Sequence, residues 1–147
     1  MEKDIIRNFY DSAKRLCEYI SNTAIKQENV DELLFLLTDT YGKGLILPDV
    51  ELDDNAPVKV PKPDPIIIEI PLTYWEIFDP FTEEDPVCGD LLDDLSDIRE
   101  DLLEGICEYE AGFINNAVFE WKLLHRAHFG NHMVSAIKAL QHLRSEH

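Results

Sequence analysis

The sequence predicts an all-α protein: an antiparallel bundle of four main helices, with an extended proline-rich arm between the second and third. Three observations carry this. Apolar residues recur every three or four positions over long stretches at both ends of the chain. Five prolines crowd residues 57–71 and exclude regular helix there. Capping and stop signals fall where the periodic stretches begin and end. At 147 residues, 45% of them hydrophobic, the chain has the size of a single domain with a core of its own.

Ile5, Phe9, Leu16, Ile20 and Ala24 share one helical face, so a first helix is expected from about Asp4 to Lys26. Asn29 and Glu32 have capping-box spacing and precede Leu33, Leu34, Leu36, Leu37 and Tyr41. This second helix should fade at Gly42 to Gly44 and must end before Pro48. The arm covers residues 49–71, where Ile66, Ile67, Ile68 and Ile70 form a β-type run with no evident partner strand. An arm laid over the helices is favoured, because proline-flanked single strands build no sheet alone. Strand addition to a second copy, giving a homodimer through residues 57–71, is the alternative.

Tyr74, Trp75, Phe78 and Phe81 suggest an aromatic knot on a short helix. Asp85-Pro86 reads as an N-cap followed by proline at the first helical position. The third helix then reaches Glu110, with Leu91, Leu95, Ile98, Leu102, Ile106 and Tyr109 as its apolar stripe and Gly112 as its stop. A last helix is expected from about Ile114 to Leu143, interrupted or kinked near Gly130.

Charge is the most informative part of the composition. The formal net charge is −17, and residues 49–110 hold 20 acidic against 3 basic side chains. All five histidines lie after residue 110. Such a field opposes nucleic acid and anionic membrane as partners and suits a basic protein or a multivalent cation. No apolar run approaches the roughly 20 residues needed to span a bilayer, and the N-terminus has no apolar signal core. A cytoplasmic protein is the expectation. Cys17, Cys88 and Cys107 form no CxxC motif, and Cys88 and Cys107 are expected on one helix, too far apart to pair. Buried or half-buried thiols are anticipated.

The segment from Tyr74 to about Leu143 resembles DUF5063, an uncharacterised bacterial family known by a domain-of-unknown-function label. The resemblance rests on YWEIFDPF (Tyr74 to Phe81), DDLSDIREDLLEG (Asp93 to Gly105), AVFEW (Ala117 to Trp121) and HFGNH (His128 to His132). Phe129 stands where the family usually has tryptophan, which keeps the aromatic character. The resemblance implies a helical bacterial protein and transfers no catalytic residue. It does imply that the acidic and histidine motifs belong together.

Those motifs form the candidate site. Asp90, Asp94, Asp97, Asp101 and Glu104 lie at offsets that place them on one face of the third helix, where neighbouring like charges repel. Arg99 is the only cation on that helix. His125, His128 and His132 are spaced 3 and 4 apart, with Trp121 one turn earlier, so they too are expected to share a face. A short connection around Gly112 makes the two helices antiparallel neighbours, carboxylates against imidazoles. Gly105 and Gly130 are costly inside helices and point to close approach.

Three outcomes follow from this: a structural hydrogen-bonded network, a divalent metal site on Asp94, Asp97, His128 and His132, or a solvated acidic face. No phosphate loop, nucleophile elbow or His-Glu-x-x-His motif is present. The leading functional reading is therefore a non-enzymatic acidic interaction module for a basic protein, with no cofactor predicted. A metal-dependent, hydrolase-like enzyme using the carboxylate–histidine groove is the alternative.

Overall fold

The apolar spacing at the N-terminus becomes two long helices, α1 (Glu2–Asn22) and α2 (Val30–Leu45), in the computed structural model, which describes residues 1–53 and 57–146. A single turn of 3-10 helix, Gln27–Asn29, precedes α2. The Asn29 side chain closes that turn by accepting from the Lys26 amide at 2.9 Å, rather than capping α2 itself. Ser12 bonds Asp39 at 2.8 Å near one end of the pair, while Thr23 to Asn29 joins the helices at the other, so α1 and α2 are antiparallel. Phe9, Leu16, Ile20, Leu33 and Leu37 are fully buried between them.

The arm lies over the helices. Ile25, in the α1–α2 connection, pairs with Ile68 in a single parallel bridge. Its amide donates to Ile67 at 2.8 Å and its carbonyl accepts from Glu69 at 2.7 Å. Ile66, Ile68 and Ile70 turn toward the core and Ile67 faces outward. Nearer its start, the arm is held to the beginning of the fourth helix, where the Asp53 carboxylate accepts from the Asn115 amide at 3.2 Å. A carboxylate there favourably meets unpaired amides and the positive end of the helix dipole. Residues 54–56, which belong to the expected arm, fall outside the described residues.

From residue 71 the all-α, four-helix expectation needs correction. The aromatic segment is a strand, not a helix: β1 (Thr73–Glu76) pairs antiparallel with β2 (Val87–Asp90), Tyr74 opposite Gly89 and Trp75 opposite Cys88. Asp85-Pro86 therefore caps nothing. α3 runs from Leu91 to Glu110, and its cap is Asp90, whose carboxylate accepts from the amides of Leu92 and Asp93 at 2.7 and 3.1 Å. Cys88 sits exposed on β2, Cys17 is buried and Cys107 half-buried, so Cys88 and Cys107 share no helix. The last helix is interrupted, as expected, but at His128: it forms two helices, α4 (Ile114–Ala127) and α5 (Phe129–Ser145). The described residues thus form five α-helices and one two-stranded sheet. None of these helices is long and apolar enough to cross a membrane.

α3 is the central element, packed against α1, α4 and α5, while α2 packs against α1, α4 and α5. Leu91, Leu95, Ile98 and Leu102 of α3, Trp121 of α4, and Phe129, Met133, Ala136 and Leu140 of α5 join the α1–α2 residues in one buried cluster. The α3–α4 contact depends on Gly105. Trp121 is fully buried, its indole N–H donates to the Leu102 carbonyl at 3.2 Å, and a Cβ at Gly105 would fall 2.1 Å from the indole nitrogen. Gly130 does something different from what its spacing suggested. A Cβ there would strike the His125 carbonyl oxygen at 1.8 Å, so this glycine permits the α4–α5 bend rather than an approach to α3.

Gly105→Val should therefore lower folding stability by about 1–3 kcal/mol, since the indole cannot move without opening the core. Denaturant unfolding followed by Trp121 fluorescence measures this; an unchanged midpoint would show that the α3–α4 packing is not as described.

Candidate functional site: a carboxylate–histidine groove

α3 and the α4–α5 bend build the site together. Repeats of 3 and 4 place Asp94, Asp97 and Asp101 along the side of α3 that meets the bend. His128 has φ −143° and ψ −81°, outside helical values, and the break turns it and His132 onto that row. His132 Nδ1 lies 2.7 Å from Asp94 Oδ1, and its Nε2 lies 3.0 Å from Asp97 Oδ2. His128 Nδ1 lies 2.5 Å from Asp101 Oδ2, and its Nε2 lies 3.7 Å from the same Asp97 oxygen. The two rings meet edge to face, with centroids 4.9 Å apart. Both Nε2 atoms thus converge on one carboxylate, and both Nδ1 atoms are held by carboxylates of their own.

A tyrosine lies behind this arrangement. Tyr74 points inward from β1, and its hydroxyl donates to Asp94 Oδ2. Gly89, opposite on β2, leaves room for the ring: a Cβ there would fall 2.3 Å from it. Glu76, two residues on and on the same face, accepts from Ser135 of α5 at 2.8 Å. The hairpin's inner face is thereby fastened to both helices of the groove. Burial, followed by the bond to Asp94, raises the Tyr74 hydroxyl pKa, so the phenol stays a donor. Burial also raises the Asp94 carboxyl, against the lowering effect of its bonds from His132 and Tyr74. The bond to Asp101 is the main cause lifting the His128 imidazole above its usual value, opposed by partial burial.

Four of the eight residues singled out from the sequence, Asp94, Asp97, His128 and His132, come together in one connected network, and Asp101 joins it through His128. Asp90, His125 and Glu104 do not, Glu104 lying against Glu120 instead. Asp90 is spent on capping α3, because the helix begins five residues later than Asp85 would place it. His125 faces the other way: its Nε2 donates to the Tyr41 carbonyl of α2 at 2.9 Å, and its ring packs on Tyr41 at 4.7 Å beside Gly44. The bend at His128 explains this, since a spacing of 3 and 4 shares a face only along an unbroken helix.

Tyr74, Glu108 and Glu120 are site residues that periodicity did not flag. Tyr74 was hidden by the expectation of an aromatic core helix. Glu108 continues the acidic row one turn beyond Glu104 and was legible as such. Glu120 of α4 lies between Glu104 and Glu108, and among the described residues no lysine or arginine neutralises this group. Burial, then the neighbouring Glu108, pushes the Glu120 carboxyl up to about 7. Burial and then Glu120 raise Glu104 as well. Glu108 is 7% exposed, and its Oε1 meets no hydrogen-bond donor among the described residues.

The fold and the groove define a mostly helical domain with an acidic, histidine-lined seam. The family model described as Domain of unknown function (DUF5063) matches residues 71–146, just over half the chain, and the protein belongs to that family. The match spans the hairpin, α3, α4 and α5, and so contains every residue of the groove. No curated protein and no solved structure shows significant similarity to the chain.

The Glu120 carboxyl carries a signed pH dependence. Its folded pKa lies above the ordinary 4.5, so its proton stabilises the fold below about pH 4.5, and this contribution is lost as pH rises to about 7. Glu120→Gln should match the native protein near pH 4.5 and exceed its stability above pH 7. A gain of roughly 1–2 kcal/mol is expected, discounted because the side chain is partly solvated. Urea unfolding at pH 5 and pH 8 measures it; a variant less stable than the native protein at pH 8 would contradict this account.

Proposed function

We propose that this chain is a divalent-metal-binding protein, with Asp97, His128 and His132 as the protein ligands. The carrying observation is the convergence of both Nε2 atoms on Asp97 Oδ2, at 3.0 and 3.7 Å, with each Nδ1 occupied by a separate aspartate. One ligand atom from each of the three residues lies within 4.8 Å of the other two.

A neutral imidazole has one N–H. Given to Asp94 or Asp101 at Nδ1, that proton leaves the Nε2 lone pair facing a carboxylate oxygen, a repulsive contact. A cation between the three atoms turns it into coordination. Metal-bound histidines characteristically donate the other ring nitrogen to a carboxylate, and both Nδ1 atoms here lie within hydrogen-bond distance of one. Bond lengths of about 2.0–2.2 Å imply ligand separations of roughly 3.3–3.5 Å around a tetrahedral ion, which the two Nε2 to Asp97 distances bracket.

Two imidazoles and a carboxylate suit zinc, iron or manganese. Three protein ligands leave at least one coordination position for water, and a bound ion would lower that water's pKa toward neutrality. His128 is 44% exposed on its side chain, so this position opens to solvent. The two best-formed clefts among the described residues, about 300 and 200 Å³, are lined by other groups, including Tyr41, Lys122, Arg126 and Phe119. Metal binding is thus supported more directly than a small-molecule reaction. The acidic row supplies the negative potential that concentrates cations at the groove.

Doubly protonated imidazoles would satisfy the same contacts without an ion, and titration distinguishes the two. Untagged protein freed of metal with a chelator should bind one equivalent of Zn²⁺ or Co²⁺ with a dissociation constant of about 1 μM or tighter. His128→Ala and His132→Ala should each weaken binding by at least about 100-fold, and Asp94→Asn by about 10–100-fold through the outer shell. Calorimetry and the visible spectrum of the Co²⁺ form report both. Absence of a stoichiometric site, or one indifferent to His132→Ala, rejects the proposal.

A further inference from the structure

The outer face of the β1–β2 hairpin is built unlike the rest of the surface. Strand alternation sends Tyr74 and Glu76 inward to Asp94 and Ser135, and it sends Trp75 outward. Trp75 is 75% exposed, and Phe78 and Phe81, in the connection to β2, are 81% and 97% exposed. Ile77, next to the inward Glu76, extends the same region at 42%. Large aromatics are normally withdrawn from water, and several together on a single projecting element mark an interaction site.

The connection holds these rings out by its own bonds. Asp79 accepts from the Phe81 amide at 3.0 Å and from the Thr82 hydroxyl at 2.7 Å, while the Asp79 amide donates to Glu84 at 2.6 Å. Tied this way at one end and fastened to α3 and α5 at the other, the hairpin presents its aromatics with little ordering left to do. Tryptophan and phenylalanine on a preorganised element are effective binding anchors.

Charge specifies the partner. Asp79, Glu83, Glu84 and Asp85 share the connection with Phe78 and Phe81, and no lysine or arginine occurs between Lys62 and Arg99. A second copy would bring the same acids against these, which like-charge repulsion disfavours. An anionic membrane or nucleic acid is opposed for the same reason. We infer that the outer face of the hairpin docks a basic polypeptide, its aromatics entering apolar pockets and its acids pairing with lysines or arginines at the rim. This surface is separate from Asp97, His128 and His132, and the inference stands whether or not they bind a metal.

The test uses the full chain with a photo-crosslinking amino acid at position 78 or 81, and at exposed Phe35 on α2 as the control position, in cells of the source organism. The expected product is one basic protein, crosslinked from 78 and 81 and not from 35. The purified partner should then bind the unmodified chain. Its affinity should fall at least about tenfold for Phe78→Ser with Phe81→Ser and again between 50 and 300 mM salt, with the fold of the variant verified by circular dichroism. A crosslink to a second copy of the chain, to an acidic or neutral protein, or to lipid overturns the inference. So does the absence of any product specific to positions 78 and 81, or affinity that survives both substitutions.

Discussion

A row of carboxylates along one side of a central helix has to be matched by something that can face it at close range. Asp94, Asp97 and Asp101 on α3 meet two imidazoles, each placed between two carboxylates. Like charges one turn apart repel, and partial withdrawal from water increases that repulsion. The histidines answer it with directed nitrogen contacts rather than with a diffuse counter-charge. Farther along α3, where Glu104 and Glu108 meet Glu120 of α4 and no lysine or arginine among the described residues, the carboxyl pKa of Glu120 rises to about 7. The contacts along α3 thus show both responses to crowded acids, pairing with imidazoles at one end and proton retention on the facing Glu120 at the other.

The position of the imidazoles depends on a chain of steric permissions. Gly105 admits the Trp121 indole, which sets how closely α4 approaches α3. Gly130 admits the His125 carbonyl, which lets α4 turn into α5 within a single residue. The turn rotates His128 and His132 away from the direction of His125, which instead joins Tyr41 on α2. One break in a helix therefore divides three evenly spaced histidines between a structural contact and a candidate site.

The hairpin links the groove to the outer surface. Its alternate residues serve opposite sides: Tyr74 and Glu76 fasten to Asp94 and Ser135, while Trp75 faces solvent. A two-stranded hairpin is marginal alone in water. Here the hydrogen bonds of its inner face, and the bond from the Leu91 amide to the Leu72 carbonyl at 2.8 Å, hold it against the helices. Its outer aromatics contribute nothing evident to that attachment, which is why their exposure points to a partner.

Local patterns were sufficient to read α1, α2, the body of α3, the extended arm laid over the helices and the row of acids. Each depends on periodicity, on proline geometry or on charge spacing within a few turns. The pairing of Asp94, Asp97 and Asp101 with His128 and His132 was legible too, because a short connection makes consecutive helices neighbours. The hairpin was not, since TYWE and VCGD form a strand pair only with one another and with Asp94 and Ser135 behind them. Nor was the loss of His125 from the row. A helical repeat predicts a shared face while the helix continues, and the break at His128 is set by tertiary contacts around Gly130, Phe129 and Tyr41. The sequence by itself determined which groups are available, a helical chain with carboxylates and imidazoles at regular spacing. Only the tertiary structure decided which imidazoles meet which carboxylates, because a glycine marks where a helix can bend but not the direction in which the bend turns each ring.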